Sequence, residues 1–220
     1  MNGQVLVLAS TSPRRASLLR QLGIAFEVVD PGDAENSESS DPITRARENA
    51  LKKAEAVSAR YPNRIVVAAD TIVVLDGRII EKPKDADDAK RMLLVLGGRI
   101  HTVISAVAVV MKEKSLCDIQ TEETKVSMRR LGEDEIDAYV ATGEPMDKAG
   151  AYAAQGIGAV IIEGVADFFH VFPGQPLGFA FFLGRIAQEI GGVEDRHNGN
   201  FRPRQLGPPA AQIRHRLVGF

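Results

Sequence analysis

The segments Ile65-Val66-Val67-Ala68-Ala69 and Ile72-Val73-Val74-Leu75 are apolar and rich in β-branched residues, yet Asp70 and Thr71 stand between them. Runs of this kind are read as buried strand. A carboxylate inside one is costly unless it is paired, binds a metal ion, or lies where the strand opens onto a cleft. A turn or a structural hydrogen bond is the plainer reading, but apolar strand on both sides weighs toward function. Asp76-Gly77 then predicts a hairpin turn into Arg78-Ile79-Ile80, since both residues accept the left-handed backbone of a two-residue hairpin.

The rest of the chain alternates strand and helix signals. Residues 4–9 and 25–29 read as short strands. The segment 12–22 reads as a helix, with Ser12 as a side-chain cap, Pro13 at the first position, Leu18, Leu19 and Leu22 on its apolar face and Gly23 as its stop. Asp41-Pro42 repeats the cap-plus-proline start and opens a helix to about Arg60, whose buried stripe is Ala46, Ala50, Ala54 and Val57. Lys53 lies at the edge of that stripe, so its ammonium either snorkels to solvent or reaches a cleft. A third helix starts near Asp85 or Asp87, turns Ala89, Met92, Leu93 and Leu96 inward and closes at Gly97-Gly98. Ile100 to Met111 and Leu116 to Met128 form an antiparallel pair with one polar face, and Glu133 to Ala141 is a short helix stopped at Gly143. His101 has no metal-ligand spacing around it and is read as structural. A strand is expected over Ala159 to Ile162, an aromatic stretch over Phe168 to Phe172, and a last apolar helix over Pro176 to Ile190.

Arg14 and Arg15 are misplaced for an ordinary helix. Cations in a first turn oppose the helix dipole by roughly 0.3–1 kcal/mol each. They make sense beside unpaired N–H groups if an anion such as a polyphosphate sits among them; two solvated arginines are the alternative. With Lys53 and Lys82 they form a basic set, with Asp70 and Glu35 as carboxylates and Ser10 and Thr71 as hydroxyls. Carboxylates recruit Mg²⁺, which accepts one or two protein oxygens plus substrate phosphates, and cations neutralise a transferring phosphoryl group. This inventory suits hydrolysis of a nucleoside polyphosphate. No P-loop, dinucleotide fingerprint, zinc motif or serine elbow is present.

Composition limits the other classes. The 220 residues carry 27 basic and 29 acidic side chains, so no global field draws the chain to nucleic acid or an anionic membrane. The single cysteine, Cys117, excludes an internal disulfide and suits a reducing cytoplasm, and the N-terminal apolar run has no signal-peptide character. Residues 1–194 are expected to form the folded domain. Residues 195–220 hold five arginines, one aspartate and three prolines and read as an extended or disordered tail.

Three motifs then carry a family resemblance: Ser10-Thr11-Ser12-Pro13-Arg14-Arg15; Ala69-Asp70-Thr71 with Glu81-Lys82-Pro83; and Gly143-Glu144-Pro145, Asp147-Lys148-Ala149-Gly150-Ala151-Tyr152 and Gln155-Gly156. In this order over residues 4–190 they resemble the Maf (septum formation inhibitor) family of nucleoside triphosphate pyrophosphatases. The resemblance implies an elongated α/β fold with a mixed sheet flanked by helices, two lobes around a cleft as in the inosine triphosphate pyrophosphatases, and a homodimer. It implies cleavage of a nucleoside triphosphate to monophosphate and pyrophosphate with a divalent cation, Mg²⁺ or Mn²⁺. By the same resemblance Asp70 is the general base, with Lys82, Arg15 and Lys53 as its catalytic companions. Ser10, Arg14, Thr71, Gln155 and Lys148 bind substrate, and Asp70 and Glu35 hold the metal. Arg14, Thr71 and Gln155 together look like the dTTP/UTP-type branch, and Gln155 offers both a donor and an acceptor to a pyrimidine edge. The alternatives are the same reaction on 7-methyl-GTP or a modified purine nucleotide, or a non-catalytic regulator of cell division on the same scaffold. No membrane and no stable nucleic-acid partner is expected.

Overall fold

A computed structural model describes residues 5–166. The aromatic stretch, the last helix and the tail at 195–220 lie outside the described residues. Among these residues seven strands form one mixed sheet: β1 (Leu6–Ala9), β2 (Phe26–Val29), β3 (Val66–Leu75), β4 (Arg78–Ile80), β5 (Ile100–Met111), β6 (Leu116–Met128) and β7 (Ile162–Ala166). The order is β2-β1-β3-β5-β6-β7, with β4 beside β3. β1 is parallel to β2 and β3, and the other pairs are antiparallel. Among the described residues four helices cover it: α1 (Pro13–Gln21), α2 (Pro42–Ser58), α3 (Ala86–Leu96) and α4 (Glu133–Ala141).

Alternation along β3 assigns the two faces. Val66, Ala68 and Ile72 pack with Ala46, Ala50, Ala54 and Val57 of α2, all four of which are fully buried. The opposite face is divided. Val67 and Ala69 pack with Ala16, Leu18 and Leu19 of α1. Val73 and Leu75 pack with Leu93 and Leu96 of α3 and Ile136 and Tyr139 of α4. Two apolar clusters on one face, joined by β3, are the two expected lobes.

One edge of β3 is paired with β5 from Val66 to Val74. The other edge pairs with β1 only at Val66 and Val67, and with β4 only from Val73 to Leu75. The strand is therefore continuous through Asp70, and it is the neighbouring edge that breaks. The hairpin turn has Asp76 at φ 49° and Gly77 at φ 75°, as a two-residue turn with left-handed backbone requires.

Three local expectations are corrected. Ser12 is the N-cap of α1 but its side chain makes no capping bond; the Ser12 N–H donates instead to Ser10 Oγ at 3.2 Å. Leu22 is exposed, because α1 ends one residue earlier and Gly23 turns the chain away. The expected strand at 159–162 is a 3₁₀ turn over Ile157–Ile161, with β7 starting only at Ile162. Asp41 caps α2 as expected, accepting from Thr44 N–H at 2.8 Å, and Asp85 caps α3 from Asp88 N–H at 2.8 Å.

Candidate active site

Asp70 lies at the break in the β3 edge, on the face toward α2, and is only 7% exposed. Both its oxygens are used. Lys53 Nζ donates to Oδ1 at 2.9 Å, and Asn49 Nδ2 donates to Oδ2 at 3.2 Å. Asn49 and Lys53 are four apart on α2, so both project from one helix face. Lys53 does not snorkel: it is 2% exposed and also donates to Glu35 Oε1 at 2.8 Å. A buried ammonium needs such partners, and two carboxylates from different segments supply them. Lys82 Nζ approaches Glu35 Oε2 from the far side at 3.5 Å. Partial burial opposes the charge on Glu35, but Lys53, Lys82 and Arg15 outweigh it and hold its carboxyl below the usual range.

Arg15 reaches the same break from α1. Its guanidinium donates to Ser10 Oγ at 3.3 Å and to Thr71 Oγ1 at 3.4 Å. Burial pushes the guanidinium down from its ordinary value, while the charges of Asp70 and Glu35 pull it back up. The N–H groups of Arg14 and Arg15 are first-turn donors without intrahelical acceptors. Thr71 is exposed on the face opposite Asp70, so the cluster wraps around the open edge of β3 and is reached from both faces.

The glycine-punctuated segment at residues 143–156 comes to this place from the other lobe. Gly150 N–H donates to Glu81 O at 3.1 Å, which ties the segment to the Glu81-Lys82-Pro83 turn. Gly150 has φ 72°, and a Cβ there would lie 3.1 Å from Val73 Cγ1, so the segment sits close on β3. Partial burial opposes the charge on Asp147, but Lys148 and, least of all, Arg14 outweigh it and hold the carboxyl below its ordinary value; burial raises the Tyr139 phenol, and Arg14 tempers that rise. Lys148 is paired with Asp147, and Gln155 is half-exposed. The structure thus gathers Ser10, Arg15, Glu35, Lys53, Asp70, Thr71 and Lys82 into one connected set. It places Arg14, Lys148 and Gln155 on or against the segment beside it.

Asn49 is the member that sequence reasoning missed. Its Oδ1 accepts from Ser37 N–H at 3.0 Å while its Nδ2 holds Asp70, so one amide joins the acidic loop to the carboxylate. An amide adjoining the small-residue stripe of α2 was the available signal. His101 is structural, as expected: it is buried, and Nε2 lies 2.6 Å from Tyr152 Oη.

Among the described residues no group of three or more His, Cys, Asp or Glu side chains could hold a metal ion alone, and no helix is long and apolar enough to cross a membrane. Residues 5–178 match the family model described as Maf-like protein. A dTTP/UTP pyrophosphatase of Dictyoglomus turgidum is 48% identical over 174 residues, covering 78% of this chain and 90% of the relative. One from Symbiobacterium thermophilum is 47% identical over 175 residues, covering 79% and 89%. One from Koribacter versatilis is 41% identical over 187 residues, covering 84% and 95%. A HAM1 protein from Coxiella burnetii, a solved structure, aligns with a TM-score of 0.43 at 16% identity over 70% of this chain and 89% of its own. On the family match and on identities above 40% across nearly the full length of these relatives, the chain belongs to the Maf family.

Proposed function

We propose that this protein hydrolyses nucleoside triphosphates, dTTP and UTP foremost, to the monophosphate and pyrophosphate. One observation carries the reading: three cations (Arg15, Lys53, Lys82) surround two carboxylates (Asp70, Glu35) at the gap in the β3 edge, in a chain whose total charge is nearly balanced. The excess of positive charge is local and suits an anion of several charges. The names of the relatives support the same substrate class.

The triphosphate lies across the start of α1, with Ser10, Arg14 and the first-turn N–H groups on its oxygens and Arg15, Lys53 and Lys82 around the reacting phosphoryl group. Asp70 accepts a proton from the water whose oxygen bonds to the α-phosphorus. The bond from that phosphorus to the bridging oxygen breaks, and pyrophosphate leaves. Lys148 and Thr71 contact the substrate, and Gln155 meets the pyrimidine edge. Asp70 and Glu35, which Lys53 Nζ bridges, are the carboxylates that would hold a hard divalent cation together with the substrate phosphates. When bound there, Mg²⁺ or Mn²⁺ supplies charge neutralisation of the phosphates and acidification of water. The reading carries with it a cytoplasmic homodimer that needs no membrane or nucleic acid.

The test is purified protein with Mg²⁺ and a panel of nucleoside triphosphates including 7-methyl-GTP, scoring pyrophosphate against single phosphate. Pyrophosphate release led by dTTP and UTP is expected, with loss of turnover in a folded Asp70→Asn variant. Release of single phosphates, or substantial turnover by that variant, overturns it.

A further inference from the structure

We propose that Glu144, acting with Tyr139, is a positioning residue for nucleobase selection, holding the backbone that presents Gln155. The inference rests on the reading of Gln155 given above. Glu144 follows α4 in the Gly143-Glu144-Pro145 turn, a motif with no role in the chemistry described so far. Its Oε2 accepts from Ile157 N–H at 2.9 Å, and its Oε1 accepts from Gly158 N–H at 3.1 Å and Tyr139 O–H at 3.2 Å. Tyr139 Oη in turn accepts from Ala153 N–H at 3.1 Å. Gln155 is therefore bracketed: the main chain is fixed two residues before it through Tyr139, and two and three residues after it through Glu144.

The glycines of this stretch confirm how closely the bracket is built. Gly156 has φ 102°, and a Cβ there would stand 2.9 Å from Glu144 Oε2; at Gly158 one would stand 2.4 Å from Ala153 O. Burial, foremost, pushes the Tyr139 phenol up to about 12, so it remains a neutral donor to the carboxylate. Backbone N–H groups held by a charged acceptor make the stronger class of hydrogen bond, and they fix the loop without using Gln155 itself. Gln155 is half-exposed, and none of the bonds that Glu144 and Tyr139 make engages its side chain.

Three donors converge on Glu144, and a glutamine amide would turn its NH₂ toward one of them. Glu144→Gln therefore breaks the bracket at nearly constant volume. The experiment measures kcat/KM for UTP, dTTP and CTP by pyrophosphate release in wild type, Glu144→Gln, Gln155→Ala and the double variant. The expected result is a fall of about tenfold in the UTP-to-CTP preference of Glu144→Gln, mostly in KM, from the misplacement of roughly one hydrogen bond to the base. In the Gln155→Ala background Glu144→Gln should change that preference no further. Equal losses on UTP and CTP, or effects that multiply in the double variant, overturn the proposal. Should Glu144→Gln fail to fold, Tyr139→Phe keeps the ring and is run through the same cycle. A wild-type protein that releases no pyrophosphate from UTP or dTTP defeats the functional reading itself, and shows it before any variant is compared.

Discussion

Lys53 is buried between two carboxylates, and replacing it with methionine tests that arrangement directly. Methionine keeps the apolar stem and most of the volume, so packing loss is small. The charge is what goes. The pair with Asp70 is buried on both sides, with the Asp70 side chain 10% exposed. Removing one partner of such a pair costs roughly 3–5 kcal/mol, because the other is left charged and desolvated. Asn49 still donates to Asp70, which holds the cost near the lower end. The pair with Glu35, whose side chain is 42% exposed, adds at most about 1 kcal/mol. Lys53→Met should therefore lower unfolding stability by about 3 kcal/mol, read as a fall in the urea midpoint at constant slope. Much of that loss should vanish when Asp70→Asn is already present, since no buried charge then lacks its partner, giving a coupling energy of about 2 kcal/mol. A Lys53→Met variant within about 0.5 kcal/mol of wild type, or additive losses in the double variant, would refute the buried-pair account.

Asn49→Asp keeps an acceptor for Ser37 N–H but sets a second buried carboxylate against Asp70, so kcat should fall about tenfold or more and Tm should fall with it; an unchanged kcat rules out the amide as the support of Asp70. Arg15→Ala should weaken binding of a triphosphate by at least about tenfold while leaving nucleoside binding alone, measured by calorimetry; equal losses count against an anion site at the start of α1. His101 gives the pH dependence. Burial holds its imidazole down to about 4, whereas the unfolded chain takes up that proton near 6.5. Its contribution is then full above pH 6.5 and lost as pH falls toward 4, with a slope of up to about 1.4 kcal/mol per pH unit. Urea midpoints at pH 7.5, 6 and 5 should show this decline, and His101→Gln should flatten it; equal slopes in the two proteins would remove His101 as the source.

The elements that read well from the sequence are those whose signal is local. The strands of the β5–β6 pair fall where their apolar alternation puts them, and the Asp41-Pro42 and Asp85 starts cap their helices as the residue types require. The corrections at Ser12 and Leu22 are local, whereas the site readings that failed depend on partners distant in sequence. Lys53 looks like a snorkelling residue beside Ala50 and Ala54 because its two carboxylates come from positions 17 and 18 residues away. Asn49 looks like an ordinary helical polar residue until Asp70, 21 residues on, lies against it. The shift at residues 157–161 has the same cause: the apolar run is strand-like, but Glu144 draws the N–H groups of Ile157 and Gly158 into a turn first. The sequence shows which candidate residues carry charge, but not that Asn49 joins them or which side chain touches which.

The placement of the site follows from how β3 is shared. Each lobe recruits its own short partner to the same edge of that strand, β1 at one end and β4 at the other, and neither extends across Ala68 to Ile72. Had β1 continued, its backbone would satisfy the middle of the edge and Asp70 would face a closed layer. With the gap open, side chains from α1, α2, the acidic loop and the Glu81-Lys82-Pro83 turn approach one carboxylate from different directions. The two apolar clusters on this face share no helix, so their relative position is carried by β3, β5 and β6. Substitutions that loosen Val67 and Ala69 against α1 therefore disturb Arg15 and Ser10, while those that loosen Val73 against α3 disturb the Gly150 contact and, through Glu81, Lys82.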